Sequence, residues 1–286
     1  MRFKMIASDL DDTLLDENSE ISSRNIAAIR QAVDRGVWFL IATGRMFKTS
    51  VTYLQDLGLN GDYPLINYHG ALIKKSQSKE IILHRPIPND VAIAVAGEAE
   101  KKNCHVSVFI EDDLYISEVN DYSRYYQSLA RVELQAVGSL PAFLRGSGAS
   151  PTKMSIIHWD GTIDDIEADL RGIFGQHLSI LQSRPYFLEI TDQKATKGQA
   201  LRWLAEREGI KPEEIIAFGD GHNDLDMVSY AGLGVAVANA RPELLQIANL
   251  VTASNSEDGV AAVIEEYVLE QPAQVTEKLS NSVGEA

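Results

Sequence analysis

Short apolar runs, Phe3 to Ala7, Trp38 to Ala42 and Ile215 to Phe218, each stop at a polar or glycine-bearing turn and are followed by an amphipathic stretch. Apolar throughout rather than alternating, such runs predict strands of a parallel sheet covered on both faces. Between the first two, Ser22 sits where an N-cap belongs, Ile26, Ile29 and Val33 share one helical face, and Gly36 lies just past the end. That arrangement predicts a crossover helix between parallel strands. The pattern resumes late in the chain with a helix over Gly198 to Glu208, a strand ending at Phe218, a helix near Asp224 to Tyr230, a strand at Gly234 to Ala238 and a last helix at Gly259 to Val268. A doubly wound α/β core with a parallel sheet follows.

The middle of the chain changes period. His105 to Phe109, Leu114 to Ser117 and Met154 to His158 alternate, and helical patterns near Asp90 to Lys102 and Asp164 to Phe174 lie between and after them. Alternation predicts a half-exposed antiparallel sheet with helices on one face. The expected organisation is a core made of residues 1–83 and 188–270, an inserted α+β domain at 84–187, and a flexible polar tail at 271–286. Within the insertion, Val137 to Pro151 is rich in glycine and proline and is expected to be a loop.

The 286 residues suit two domains. Lys and Arg total 26 against 41 Asp and Glu, a formal charge of −15, which repels nucleic-acid phosphates and anionic membranes. With Cys104 as the only cysteine there is no intramolecular disulfide and no cysteine zinc cluster, and the usage fits a reducing cytoplasm. No apolar run reaches the roughly 20 residues of a membrane span. The first apolar run meets Asp9 before a signal-peptide core can form. The expectation is a cytoplasmic protein without nucleic-acid or membrane partners, acting as a monomer or small homo-oligomer.

Candidate chemistry gathers at strand ends, where open α/β sheets bind ligands. The first strand ends in Asp9-Leu10-Asp11-Asp12-Thr13, the second in Ala42-Thr43-Gly44-Arg45, and a later one in Gly219-Asp220-Gly221-His222-Asn223-Asp224. Lys197 and Gly198 open a helix. Singly, each has a plain structural reading: acids after a strand cap helices, Thr43 is a possible N-cap, and a lysine before a helix is usually solvated. All four in order, each at a strand end or helix start, point instead to one site.

This order resembles the haloacid dehalogenase superfamily, and best its Cof-type members with a large α+β (type IIB) cap; the resemblance runs to about Val268. It implies a Rossmann-like core and a Mg²⁺-dependent phosphomonoester hydrolase that works through an aspartyl-phosphate on small phosphorylated metabolites, sugar phosphates first. By that resemblance Asp9 is the nucleophile and Asp11 the general acid/base. Asp9, Asp220 and the main-chain carbonyl of Asp11 hold Mg²⁺, and Asp224 supports them. Lys197, Thr43, Asn223 and the backbone at Leu10 and Gly44 bind phosphate. The chemistry is consistent, since a carboxylate attacking a phosphate dianion needs its charge offset and a hard cation takes oxygen ligands.

Two positions depart from the family pattern. Asp12 stands where glycine is usual, and Asp tolerates left-handed backbone better than most residues. His69 stands in Tyr68-His69-Gly70, where many relatives have Asn-Gly. His222 is expected to be a loop residue, and Arg45 either a surface ion pair or a contact to the substrate or inserted domain. Phosphatases of a flavin precursor, a nucleotide or pyridoxal phosphate are alternatives, as is phosphoryl transfer to a sugar. A phospho-acceptor signalling module and a binding protein without turnover are the readings of another class.

Overall fold

In the computed structural model, residues 2–130, 132–159 and 163–270 are described; the expected tail, 271–286, lies outside them. The chain opens with β1 (Met5–Ser8) and β2 (Trp38–Ile41), then forms a meander of β3 (Pro64–Asn67), β4 (Leu72–Lys75) and β5 (Ile81–His84). Next come β6 (His105–Ile110), β7 (Asp113–Ile116), β8 (Leu134–Ala136), β9 (Lys153–Ile157), β10 (Leu178–Arg184) and β11 (Phe187–Asp192). The chain then returns through β12 (Ile215–Gly219), β13 (Leu233–Ala236) and β14 (Leu250–Val251).

The first and last groups form one parallel sheet in the order β14-β13-β12-β1-β2. Strand β1 shows why its sequence does not alternate. Phe3 and Ile6 pack with Phe39 and Phe218 on one side, while Met5 and Ala7 pack with Leu40 and Ala217 on the other. Both faces are covered, so the strand is apolar from Met5 to Ala7 and buried throughout. The helix Ser23–Asp34 that joins β1 to β2 begins as expected: the Ser22 hydroxyl accepts the Asn25 N–H, and Gly36 beyond its end has φ +88°. Successive strands leave β1 in opposite directions, β2 to one side and β12 to the other, which opens a crevice at their carboxyl ends.

The second sheet runs β10-β11-β9-β6-β7-β8 and is antiparallel except for the parallel pair β7/β8. One face, with Val106, Val108, Met154 and Ile156, packs against the helices Asn89–Lys101, Leu140–Ser147 and Ile163–Phe174. The opposite face is not open to water as the alternation suggested. Phe109, Ile157 and Phe187 join the cluster of the parallel-sheet half, and Ser107, Ser155 and Lys153 are buried among them. Its polar positions serve contacts with the other half of the molecule rather than solvent. Strand β11 stays in this sheet to Asp192, past the boundary read from the sequence.

Val137 to Pro151 holds a helix, Leu140–Ser147, where a loop was expected. The Ser139 hydroxyl accepts the Ala142 N–H, Pro141 sits in the first turn and Gly148 ends the helix at φ +65°. Proline just inside a start and glycine just past an end are helix punctuation, and Leu140 and Leu144 bury the apolar face.

His105 on β6 is 3% exposed, stacks on Tyr122 at 5.9 Å between ring centroids, and has its pKa pushed down by burial from 6.5 to about 4. The folded chain therefore takes up this proton less readily than the unfolded one. The resulting stability is present in full above pH 6.5 and is lost as pH falls to about 4, an effect of about 3 kcal/mol. In denaturant titrations at pH 7 and pH 5, His105→Phe should remove part of the wild-type loss on acidification. An unchanged difference between the two pH values would show that His105 stays solvated.

Candidate active site

Three strand ends converge at the crevice. Asp9 follows β1, and its Oδ1 lies 2.7 Å from Lys197 Nζ while accepting the Leu10 N–H at 2.7 Å. Lys197 opens the helix Lys197–Arg207, which Thr196 caps by accepting the Gln199 N–H. Its ammonium is fully buried and also bonds Asp224 Oδ1 at 2.7 Å. Asp224 Oδ2 accepts the backbone N–H groups of Asp220 and Gly221, so this acid braces the loop after β12. Asp220 Oδ1 accepts from the Thr13 hydroxyl at 2.9 Å. Gly70, at φ +103°, lets the turn after β3 close on the start of the same helix: a Cβ there would lie 2.2 Å from the Thr196 carbonyl oxygen.

The electrostatics follow from this packing. Burial raises the Asp9 pKa well above the carboxylate range, Lys197 opposes the shift, and Asp224, Asp220 and Asp11 add to it. Asp220 is pushed up to about 6, by burial and then by Asp224, against the Thr13 hydrogen bond and Lys197. Burial works against the charged form of Lys197, but Asp224 and Asp9 outweigh it and raise its pKa. Asp9 and Asp224 are buried and Asp220 is half-buried, so three acids face one lysine with little access to water, a surplus of negative charge that calls for a cation. Asp9, Asp220 and Asp224 can each direct an oxygen to within 4.8 Å of the others. Asp224 has both oxygens engaged, which leaves Asp9 Oδ2 and Asp220 Oδ2 as the carboxylate oxygens without a protein donor among the described residues. An all-oxygen donor set fits a hard divalent ion.

The other expected residues fall around this centre. Thr43 is buried, its hydroxyl accepting the Arg45 N–H at 3.1 Å, and the Gly44 carbonyl accepts from Lys153 Nζ at 3.3 Å. The Leu10 N–H is already used by Asp9. Asn223 Nδ2 stands 3.3 Å from His69 Nδ1, and exposed His222 sits in the same turn. Asp12 adopts φ +56°, so the turn survives without glycine. The Asp11 carboxylate does not point at Asp9; Arg45 grips it with Nε at 2.9 Å and Nη2 at 2.5 Å, and Arg45 Nη1 donates to the Tyr53 hydroxyl at 2.8 Å.

A cavity of about 300 Å³ opens over Asp9, Asp11 and Asp220. The second sheet supplies its far wall, including Lys153, Arg184 and Glu189. Lys153 and Arg184 of the inserted segment reach the cavity. Tyr115 instead stacks on Phe143 at 4.9 Å, Arg124 lies 3.9 Å from Asp121, and Tyr125 and Tyr186 share a hydrogen bond. Glu189 was not foreseen. It bonds His69 Nε2 and lies 3.3 Å from Lys153 Nζ, and the Lys153 and His69 charges pull its pKa down despite burial. A single glutamate between Leu188 and Ile190 is the trace that Glu189 leaves in the sequence.

Comparison with known proteins agrees with this architecture. A family model described as haloacid dehalogenase-like hydrolase matches residues 6–264. A Bacillus subtilis 5-amino-6-(5-phospho-D-ribitylamino)uracil phosphatase, YitU, is 30% identical over 270 residues, 92% of this chain and 97% of that one. A Thermotoga maritima crystal structure superposes with a TM-score of 0.83 at 31% identity, covering 92% of this chain and 97% of the other. The HAD subclass IIB sugar phosphatase BT4131 gives a TM-score of 0.78 at 27% identity, over 92% and 98%. Among the described residues, no helix is long and apolar enough to cross a membrane.

Proposed function

We propose, for a chain that belongs to the haloacid dehalogenase-like hydrolases, that it is a phosphatase of small sugar phosphates using Mg²⁺, with Asp9 as nucleophile. The observation that carries this reading is Asp9 itself: buried, lining the cavity, and pinned through Oδ1 by Lys197 and the Leu10 N–H. Asp9, Asp220 and the Asp11 main-chain carbonyl, with Asp224 behind, would hold Mg²⁺, which when bound would offset the charge of the phosphoryl oxygens.

The protein groups do the rest. Lys197 fixes the nucleophile and sets a positive charge at the phosphate, and the Thr43 hydroxyl, Asn223 and the backbone at Gly44 donate to its oxygens. Asp9 Oδ2 forms the new bond to phosphorus as the ester P–O bond breaks, and Asp11 gives its proton to the departing alkoxide. In the second half, Asp11 as carboxylate takes a proton from water, water attacks phosphorus, and the Asp9–phosphate bond breaks to release inorganic phosphate. Arg45, through Nε and Nη2, fixes the position of the Asp11 side chain. The second sheet, on segment 84–187 and its continuation to Asp192, acts as the cap that excludes water and meets the leaving group. Cys104, the lone cysteine, is in keeping with a cytoplasmic setting.

The similarity to YitU favours one second reading, a phosphatase for a flavin precursor. A panel of phosphate esters assayed with Mg²⁺, with chelator, and with Mg²⁺ restored decides between them. Sugar phosphates should rank first, chelation should abolish release and Mg²⁺ should restore it. Release unaffected by chelation would overturn the reading, and a ribitylaminouracil phosphate at the top would select the second.

A further inference from the structure

The active-site cavity shares a wall with another. A second cavity, of about 350 Å³, lies between β10/β11 and the start of the helix Lys197–Arg207, and His69, Leu181, Glu189, His222 and Asn223 line both. The side chains that meet across this wall are His69 and Glu189, which bond one another. We propose that His69 is a specificity-determining residue that sets leaving-group length: its contact with Glu189 closes off the second cavity and confines the enzyme to compact esters. The proposal rests on the phosphatase reading above.

His69 is fixed from several sides. Its backbone is left-handed, φ +58°, and its N–H bonds the Thr43 carbonyl. The ring covers Gly44 so closely that a Cβ there would lie 2.3 Å from it. Nδ1 faces Asn223 at 3.3 Å, while Lys153 steadies Glu189 on the far side. None of the bond-making steps above needs this imidazole. A left-handed position is also one that Asn or Gly fills at low cost, so the choice of histidine asks for another reason, and a ring long enough to reach Glu189 is one.

The two spaces differ in chemistry. The first, at about 300 Å³, is at the small end of ligand pockets, enough for a phosphate with a compact polyol. Ile180 and Leu225 give the second cavity apolar patches, with the hydroxyls of Ser179 and Thr191 and the charged Arg171 and Asp226 beside them. Such a lining suits a flat heterocycle with hydrogen-bonding edges. An ester carrying a sugar alcohol and then a ring would need both spaces, and hence a displaced His69.

The test uses His69→Asn and His69→Gly, which both accept the left-handed backbone, with thermal melts to confirm folding. Dissociation constants for ribose 5-phosphate and riboflavin 5′-phosphate are measured with Mg²⁺ in an Asp9→Asn background, and kcat/KM for both esters with Asp9 intact. With His69 present, ribose 5-phosphate should be preferred at least ten-fold. Both variants should shift the binding and kcat/KM ratios ten-fold or more toward the riboflavin ester, Gly at least as far as Asn. A ratio that moves less than three-fold in both, or a riboflavin ester already bound equally well with His69 in place, overturns the proposal. The phosphatase reading fails on a different observation, no metal-dependent phosphate release from protein that keeps Asp9, so the two failures are told apart.

Discussion

Asp9→Asn is expected to cut phosphate release by at least about 10⁴-fold, because an amide oxygen is too weak a nucleophile to open the covalent route. The fold should not suffer. The Asn oxygen keeps the acceptor site for both Lys197 Nζ and the Leu10 N–H, which meet on a single oxygen of Asp9. Burial and three neighbouring acids already hold the Asp9 pKa high, so its charge opposes folding and its removal relieves repulsion. Thermal melts in chelator should therefore give a Tm equal to or above wild type. Phosphate release within ten-fold of wild type would remove Asp9 from the mechanism, and a collapsed Tm would mean that its charge, not its oxygen position, supports the structure.

The second large effect is on stability. Lys197→Met leaves Asp9 and Asp224 buried without the ammonium that lies 2.7 Å from each. Breaking one side of a buried ion pair costs about 3–5 kcal/mol, and activity should vanish with the phosphate's fixed cation. The sign of the pH dependence separates lost charge from lost packing. Lys197 opposes the raised pKa values of Asp9 and Asp220, so without it both are raised further above their unfolded values and the fold favours their protonated forms. The variant should then be closest to wild type near pH 5 and lose stability as pH rises to 8, measured by denaturant titration in chelator. An equal deficit at both pH values would assign the loss to packing alone, and a wild-type midpoint at pH 8 would show that the cluster does not need the lysine.

Much of the core was open to reading because its signals are local. The apolar run of β1 states that both its faces are covered, and the clusters on either side of it bear this out. Ser22 and Gly36 mark the ends of their helix through hydrogen bonding and backbone handedness that each residue carries alone. The same punctuation was misread at Ser139, Pro141 and Gly148, where density of glycine and proline outweighed their positions relative to Leu140 and Leu144. The strands β4, β5, β8, β10, β11 and β14 were not anticipated, although β3-β4-β5 and β10-β11 are consecutive strands paired across short turns.

The gathering of the candidate-site acids and Lys197 was legible because a sheet's strand ends bring together whatever follows them, so motifs far apart in the chain declare a common place. The opposite wall was not. Lys153 and Glu189 meet because β9 pairs with β11 in a register that sets Ser155 across from Glu189, putting Lys153 and Glu189 on one face, diagonal to each other. Period-two alternation says which residues share a face, but pairing and register between strands are settled by long-range contacts. The sequence by itself therefore determined the parallel core, the order of the motifs and the identity of the acids and Lys197. Only the tertiary structure decided that the inserted sheet turns its polar face onto the core, that Arg45 holds Asp11, and that His69 reaches Glu189. Those depend on how two separately patterned halves meet, and no local propensity encodes that.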